Sequence, residues 1–475
     1  MLLLVLAISF STAWPSDGAE ILPISASTTG NYKDGRPPCS LNGQLDEDQG
    51  ICHCDKPWSG TECEILQFLP LSIPNGYPNL HTKTTWGGDI VYNAHDKTHH
   101  LFVTAMTDGC SLRSWQTHSR IEHAISHTGI TGPYEFVDVA VPIWSHNPKV
   151  IALQQQNQKT NGSFASSSAP SLALFHIGMG AGPADLHKNC TKQDYYSIWQ
   201  RRGHSDDDGG KDDASTKASR NLFQDRKKSA STIGTRAARS GTIHTAPSVQ
   251  GPWTPLPNNT LGYCNNPAPF IVHDRTKGVS IIYIVCDHNV LKQAHNVGGP
   301  WTTIGEIIPS ENNDGSITND DAGGGIMYED PSLYVDHRGH FHVMFHAYVP
   351  YENPPHGHDC SNSTVAAHFF SVDGRQWYRS PGQPYGSQIQ LLEETATAAG
   401  GGGGGHGRST IMTVSTRERP TLIFDTDPVT GRVQQLTHLL TGACSAPNCP
   451  RGPPAGCVNC KYDHWDYTLI QAFDI

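Results

Sequence analysis

Carboxylates recur in this chain beside prolines, at the entrance of strand-like runs. Residues 328–348, YEDPSLYVDHRGHFHVMFHAY, set Glu329 and Asp330 directly before Pro331, ahead of two β-branched and aromatic runs joined by a DHRG turn. The pattern predicts a tight antiparallel hairpin. Proline has no N–H to donate and favours a strand's first residue or its edge, which puts the two carboxylates at the mouth of a sheet. Carboxyl groups brought together from separate strands can do acid–base chemistry, one protonating a leaving group while the other activates water.

The elements that must position them repeat. Related units stand at HNPKVI (146–151), NNPAPFIVHDRTKGVSIIYIV (265–285) and RERPTLIFDTDPVTGRVQQL (417–436), with a proline-free copy, GGDIVYNAHDKTHHLFVTAM, at 87–106. A second element follows the hairpins: IEHAISHTGITGPYEF (121–136), GTIHTAPSVQGPWTPL (241–256), LKQAHNVGGPWTTI (291–304) and a worn copy, FFSVDGRQWYRS (369–380). Each has a turn followed by an aromatic residue, Tyr134, Trp253, Trp301 or Trp377, placed to open another strand. Hairpin, strand, turn and strand make about four strands per repeat, the content of one propeller blade. The expected fold class is all-β, a five-bladed β-propeller over residues 80–475.

Other side chains at these mouths widen the chemistry. Along 340–346 a period of two places His340, His342, Met344 and His346 on one face. These histidines, with His146 before Asn147-Pro148, are candidates to line a central pocket, hold a metal or act as an acid. Most strand histidines only hydrogen-bond to their neighbours, so no metal site is assigned. Trp86, near Asp89, is placed to stack on a sugar ring or to pack in the core. Arg417 and Arg419 flank Glu418 and are placed to bind an anionic group or to neutralise that glutamate. Asp330 competes with Glu329, because adjacent strand residues face opposite ways.

The chain has 475 residues and a net charge of −11, which argues against nucleic acid as a partner despite the basic tract at 226–228. No apolar run beyond the N-terminus is long enough for stable membrane insertion. Residues 1–13, MLLLVLAISFSTA, resemble a signal peptide without its basic n-region. Thirteen cysteines and sequons at Asn161, Asn189, Asn258 and Asn362 agree with a secreted glycoprotein. The stretches 204–240 and 394–409 are rich in Gly, Ser, Ala and charge, and read as solvated loops between strands. CSAPNCPRGPPAGCVNC, at 444–460, reads as a loop stapled by two disulfides rather than a zinc site.

Two resemblances follow from these motifs. CSLNGQLDEDQGICHCDKPWSGTEC, at 39–63, resembles the C-terminal half of an epidermal growth factor-like module and implies the pairings Cys39–Cys52 and Cys54–Cys63. Such a small unit has too little core to fold without staples, so a spacer is expected rather than a ligand site. The five hairpins as a set resemble glycoside hydrolase family 43 and its invertase-type and arabinanase-type relatives. That resemblance implies a carbohydrate substrate, an inverting mechanism, and no required cofactor, with Ca2+ as an admissible central ion. It places the general base at Asp89 and the general acid at Glu329. The carboxylate that tunes the acid's pKa falls on Asn266, a departure, since an amide cannot supply that charge. The alternative is a non-catalytic extracellular propeller that binds glycans or proteins.

Overall fold

The computed structural model describes residues 35–77, 83–107, 112, 115–153, 171–178, 241–257, 261–274, 278–286, 289–308, 326–348, 366–392, 409–414, 416–444 and 466–475. The expected signal segment, the four sequons, the 204–240 stretch, Cys449, Cys457, Cys460 and nearly all of 394–409 lie outside the described residues.

The N-terminal module is two small hairpins, β1 (Gly43–Asp46) with β2 (Ile51–Cys54) and β3 (Trp58–Ser59) with β4 (Ile65–Leu66). Both expected disulfides, Cys39–Cys52 and Cys54–Cys63, are formed. The module borrows its core from the propeller. The Trp58 ring lies 5.0 Å from that of His368, and Arg338 Nη2 donates to Leu41 O at 2.7 Å and to Asp55 Oδ2 at 2.5 Å.

Five antiparallel sheets follow. The first blade is β5 (Thr85–Asn93), β6 (Thr98–Met106), β7 (Ser119–Ser126) and β8 (Glu135–Val141). The second is β9 (His146–Ala152), β10 (Leu172–Ile177), β11 (Gly241–Ala246) and β12 (Thr254–Pro255), and the third is β13 (Ala268–Asp274), β14 (Val279–Val285), β15 (Val290–Ala294) and β16 (Thr302–Glu306). The fourth is β17 (Met327–Val335), β18 (Phe341–Tyr348), β19 (Ala367–Ser371) and β20 (Tyr378–Arg379). A separate hairpin, β21 (Gln388–Leu392) and β22 (Ser409–Thr413), precedes the fifth blade of β23 (Thr416–Thr426), β24 (Val433–Cys444) and β25 (Asp466–Ala472).

Apolar faces of neighbouring sheets pack together, as where Phe175 and Ile243 of the second blade meet Ile282 and Ile284 of the third. The recurrent turn aromatics join this packing: Trp253 lies edge-on to Phe102 of the preceding blade at 5.1 Å, and Trp301 to Phe175 at 6.4 Å. A third disulfide, Cys264–Cys286, ties the entry to the third blade to the end of β14.

The fifth blade has three strands, and residues 67–77 lie along its outer edge, extending the propeller upstream of residue 80. Leu69 N donates to Ala472 O at 3.0 Å and Asp474 N to Gln67 O at 3.0 Å. Where the backbone does not pair, the Asn75 amide substitutes, accepting from Ile470 N at 2.9 Å and donating to Ile470 O at 2.7 Å. The closing strand 466–472 therefore completes the ring within the fifth blade, with the N-terminal segment as its partner.

Candidate active site at the mouth of the propeller

All five innermost strands begin alike. Two residues oppose a single partner where the ladder steps from Trp86 to Asp89, from His146 to Lys149, from Glu329 to Ser332 and from Glu418 to Thr421. Asn266-Pro267 takes the same place just before β13. The first residue of each pair has a left-handed backbone: Gly87 at φ 58°, Asn147 at 57°, Asn266 at 48°, Asp330 at 57° and Arg419 at 58°. Gly, Asn and Asp tolerate that conformation, and in four blades proline follows. Arg419 does not tolerate it well, and its retention there points to the work of its side chain.

These residues form a crown around the axis. Asn147 Nδ2 donates to Asn266 Oδ1, Asn266 Nδ2 donates to Asp330 Oδ1 at 2.5 Å, and Arg419 Nη1 donates to the same Asp330 oxygen. Gly87 leaves room for the arginine, since a Cβ there would stand 3.0 Å from Arg419 Cβ. Burial pushes Asp330 up to about 6 against the pull of Arg419, with Glu329 adding to the rise.

Ladder register places Trp86, His146, Glu329 and Glu418 one step above the crown, and Asp89, Lys149, Ser332 and Thr421 one step below it. Above it, the Glu329 and Glu418 carboxylates bracket His346, with Oε1 of Glu329 3.4 Å from Nδ1 and Oε1 of Glu418 3.8 Å from Nε2. Side-chain exposure falls from 31% at Glu329 to 13% at Glu418 and 7% at His346, so the group opens toward solvent through Glu329. Burial pushes Glu418 up to about 8; His346 lowers it, and Glu329 and Asp330 raise it further. The His346 imidazole is lowered by burial, yet Glu418 and Glu329 outweigh this and hold it above its usual value. Burial thus favours the protonated form of Glu418, which lies beside a second carboxyl group with the His346 imidazole close to both.

Below the crown, Asp89 is part-buried and accepts hydrogen bonds from Val150 N at 2.8 Å and Ile90 N at 2.9 Å. Burial raises its pKa while Lys149 lowers it. Lys149, pushed down to about 8 by burial and held up by Asp89 and Asp330, donates to Pro420 O at 3.1 Å and to Thr421 Oγ1. The structure thus brings Glu329, Asp330, His346 and Arg419 to one end with Glu418, and sets Asp89 on the other side of the crown from Glu329.

The remaining expected residues divide by direction. Arg417 turns outward into the fifth blade, where Nη2 donates to Gln471 Oε1 at 3.0 Å and the guanidinium lies 4.9 Å from the Tyr385 ring. Arg419, at the crown, donates to Asp330. Trp86 is 1% exposed, with its ring over Gly442 in the core. His146 is fully buried, stacked on Trp115 at 5.0 Å and held well below its usual pKa by burial and by Arg419. His342 pairs with His368 at 3.1 Å, and His340 lies beside Asp336, so of the three histidines at 340–346 only His346 reaches the mouth. Glu418 is the residue that sequence reasoning left out of the site. Its place two residues before Pro420, as Glu329 stands two before Pro331, was the available signal.

Glu329, Asp330, His346 and Glu418 each place one donor atom within 4.8 Å of the others, a set able to hold a metal ion. It fits calcium poorly, because Ca2+ takes about six to eight oxygen ligands whereas one donor here is an imidazole and Asp330 is already bound to Arg419.

No protein-family model matches the chain, and no curated protein matches its sequence. Among solved structures it is similar to a thermostable family-43 glycoside hydrolase, at 11% identity over 85% of this chain and 92% of that one, with a TM-score of 0.41. It is similar also to the catalytic domain of a GH62 alpha-L-arabinofuranosidase of Coprinopsis cinerea, at 10% identity over 86% and 97%, TM-score 0.43. A third is an endo-arabinase from Bacteroides thetaiotaomicron, at 11% identity over 84% and 98%, TM-score 0.40.

Proposed function

We propose that this chain is a secreted glycoside hydrolase whose chemistry is carried by Glu418 and Glu329, with a poly- or oligosaccharide as substrate. The observation that carries the reading is the division of two neighbouring glutamates into a buried, protonated one and a more exposed one across a shared histidine. Glu418 gives its proton to the leaving oxygen as the glycosidic bond breaks. Glu329 attacks the anomeric carbon and forms a glycosyl ester. Water, deprotonated by the Glu418 carboxylate, then displaces Glu329 and restores both groups. His346 is a positioning residue that touches both carboxyl groups.

An oxygen of Glu329 lies within 4.8 Å of one of Glu418. That approach is closer than the about 6.5–9.5 Å between carboxyl groups that an inverting mechanism needs to admit water, which supports writing the reaction as a retaining one. It replaces the Asp89 and Glu329 pairing expected from the family resemblance. The three disulfides among the described residues are compatible with secretion.

The test is reducing-sugar release from arabinans, xylans, fructans and sulfated or uronate-bearing polymers by the parent, Glu418→Gln and Glu329→Gln, with product anomers followed by NMR. Release by the parent, loss in both variants and retained anomeric configuration support the reading. Equal release by the variants overturns the residue assignment. Asn266, an amide in the crown where the resemblance expects a carboxylate, favours a second reading, a glycan-binding propeller without turnover. Binding without release identifies that case.

A further inference from the structure

Three blades bury a pair of histidines between their second and third strands. His100 Nδ1 lies 2.7 Å from His123 Nε2 in the first blade, His176 Nε2 lies 2.9 Å from His244 Nδ1 in the second, and His342 Nδ1 lies 3.1 Å from His368 Nε2 in the fourth. All six are at most 2% exposed. Such a pair needs one ring nitrogen to accept, and a nitrogen that has taken a proton cannot. In the first blade carboxylates stand ready to offset that charge, Asp138 at 3.2 Å from His123 and Asp96 at 3.5 Å from His100. In the fourth, Asp336 lies 3.6 Å from His342. Among the described residues, no carboxylate plays that part for His176 or His244.

Strand alternation puts His176 on the face of Leu174, which packs against the first blade. The carboxylates of that blade are engaged elsewhere: Glu122 by Lys83 and Arg120, Asp138 by His123, and Asp89 by the N–H groups of Val150 and Ile90, while Glu135 is exposed. The other titratable groups on the packed elements, His118, His146 and Lys149, cannot offset a cation, and Lys292 of the third blade donates to Leu261 O. Burial lowers His244 to about 4, and burial, then the charge of His244, lowers His176 to about 3. Both lie below the usual 6.5, so an opened blade takes up protons that the closed one refuses, and stability is lost as pH falls below about 6.5.

The pair also backs the mouth. Phe175 opposes Lys149 and Ile177 opposes His146, which sets His176 across from the Asn147-Pro148 bulge, and Asn147 makes the crown bond to Asn266. His176 Nδ1 donates to Ile177 O at 2.9 Å, which leaves Nε2 to accept from His244 Nδ1. We propose that the His176–His244 pair is an acid-sensitive latch, whose protonation releases the mouth end of β10 and β11, and with it the Asn147 corner of the crown, before the other blades open.

The test is hydrogen exchange of the full chain, read by mass spectrometry at about pH 7.5 and about pH 5 and corrected for the intrinsic exchange rate. It is independent of turnover and so stands apart from the proposed hydrolysis. Two histidines that titrate only on opening raise the opening constant about 10³-fold over that interval, and one raises it about 30-fold. Protection of β10 and β11 should therefore fall at least a hundredfold, while that of β13 to β15 changes less than tenfold. His244→Asn keeps an N–H donor toward His176 and should cut the response to about 30-fold. If that variant does not fold, the parent decides by itself: β10 and β11 must lose protection at a higher pH than the histidine-bearing strands of the first and fourth blades. Equal loss in all blades, no loss in β10 and β11, or a parent-like acid response in His244→Asn would overturn the proposal.

Discussion

The two sides of the crown use the same kinds of residue to opposite ends. Below it, Asp89 and Lys149 are part-buried, and each offsets part of the other's burial-driven pKa shift. Above it, Glu329 and Glu418 share one histidine, and Arg419, hydrogen-bonded to Asp330 one layer down, lowers Glu418 less than burial raises it. A charge offset by an opposite one is compatible with structure, whereas a carboxyl group beside further carboxyls in a sheltered mouth is pushed up in pKa, as Glu418 is. The difference teaches that reactivity here depends on layer along the strand more than on residue type.

The sharpest way to break this comparison is to exchange acids between layers. Glu418→Gln should lower glycan hydrolysis by about 10²- to 10⁴-fold, the range for removing a general acid, whereas Asp89→Asn should leave turnover within a few-fold and lower the melting temperature. A large activity loss in Asp89→Asn would return Asp89 to the role first expected of it. Next in size is the crown itself. Arg419→Met leaves the 2% exposed Asp330 carboxylate without its cation, and breaking such a pair costs about 3–5 kcal/mol, readable by denaturant unfolding.

A pH profile sharpens the comparison further. The acid form of Glu418 is required, so activity should fall as pH rises through about 8. Its folded pKa lies above the usual glutamate value of 4.5, so the folded state holds the proton more tightly than the unfolded state. Unfolding free energy therefore decreases as pH rises from about 4.5 to about 8, and Glu418→Gln should flatten that slope. The smallest expected effect is that of a chelator. With a donor set ill suited to calcium, EDTA should change neither hydrolysis nor melting temperature, and a large loss of either would show that the mouth holds an ion.

Much of this architecture was legible because the inner hairpins repeat a polar-proline pair, and the pair marks the bulge. Asn147, Asn266 and Asp330 could be read as equivalents from their prolines alone. The first blade lacks the proline, and aligned by ladder register Gly87 is its crown residue and Trp86 the counterpart of Glu329 and Glu418, which sets Asp89 one step below the crown. A two-residue bulge moves a side chain across the crown while leaving it near the motif in sequence, and a period of two cannot register that shift. Arg417 was unreadable for a different reason. Its direction is set by partners such as Gln471 and Tyr385, far away in sequence and absent from any local pattern.

The segment at 67–77 has a consequence for how the ring is made. Asn75 bonds Ile470 across 395 positions and Leu69 bonds Gln471 across 402, so the last blade is sealed by the first part of the chain. Contacts of such sequence separation form only after a large loop-closure entropy has been overcome, and they slow folding. Synthesised from its N-terminus, the protein carries an unsatisfied edge until β25 emerges, and ring closure becomes the late, cooperative event that completes the fifth blade.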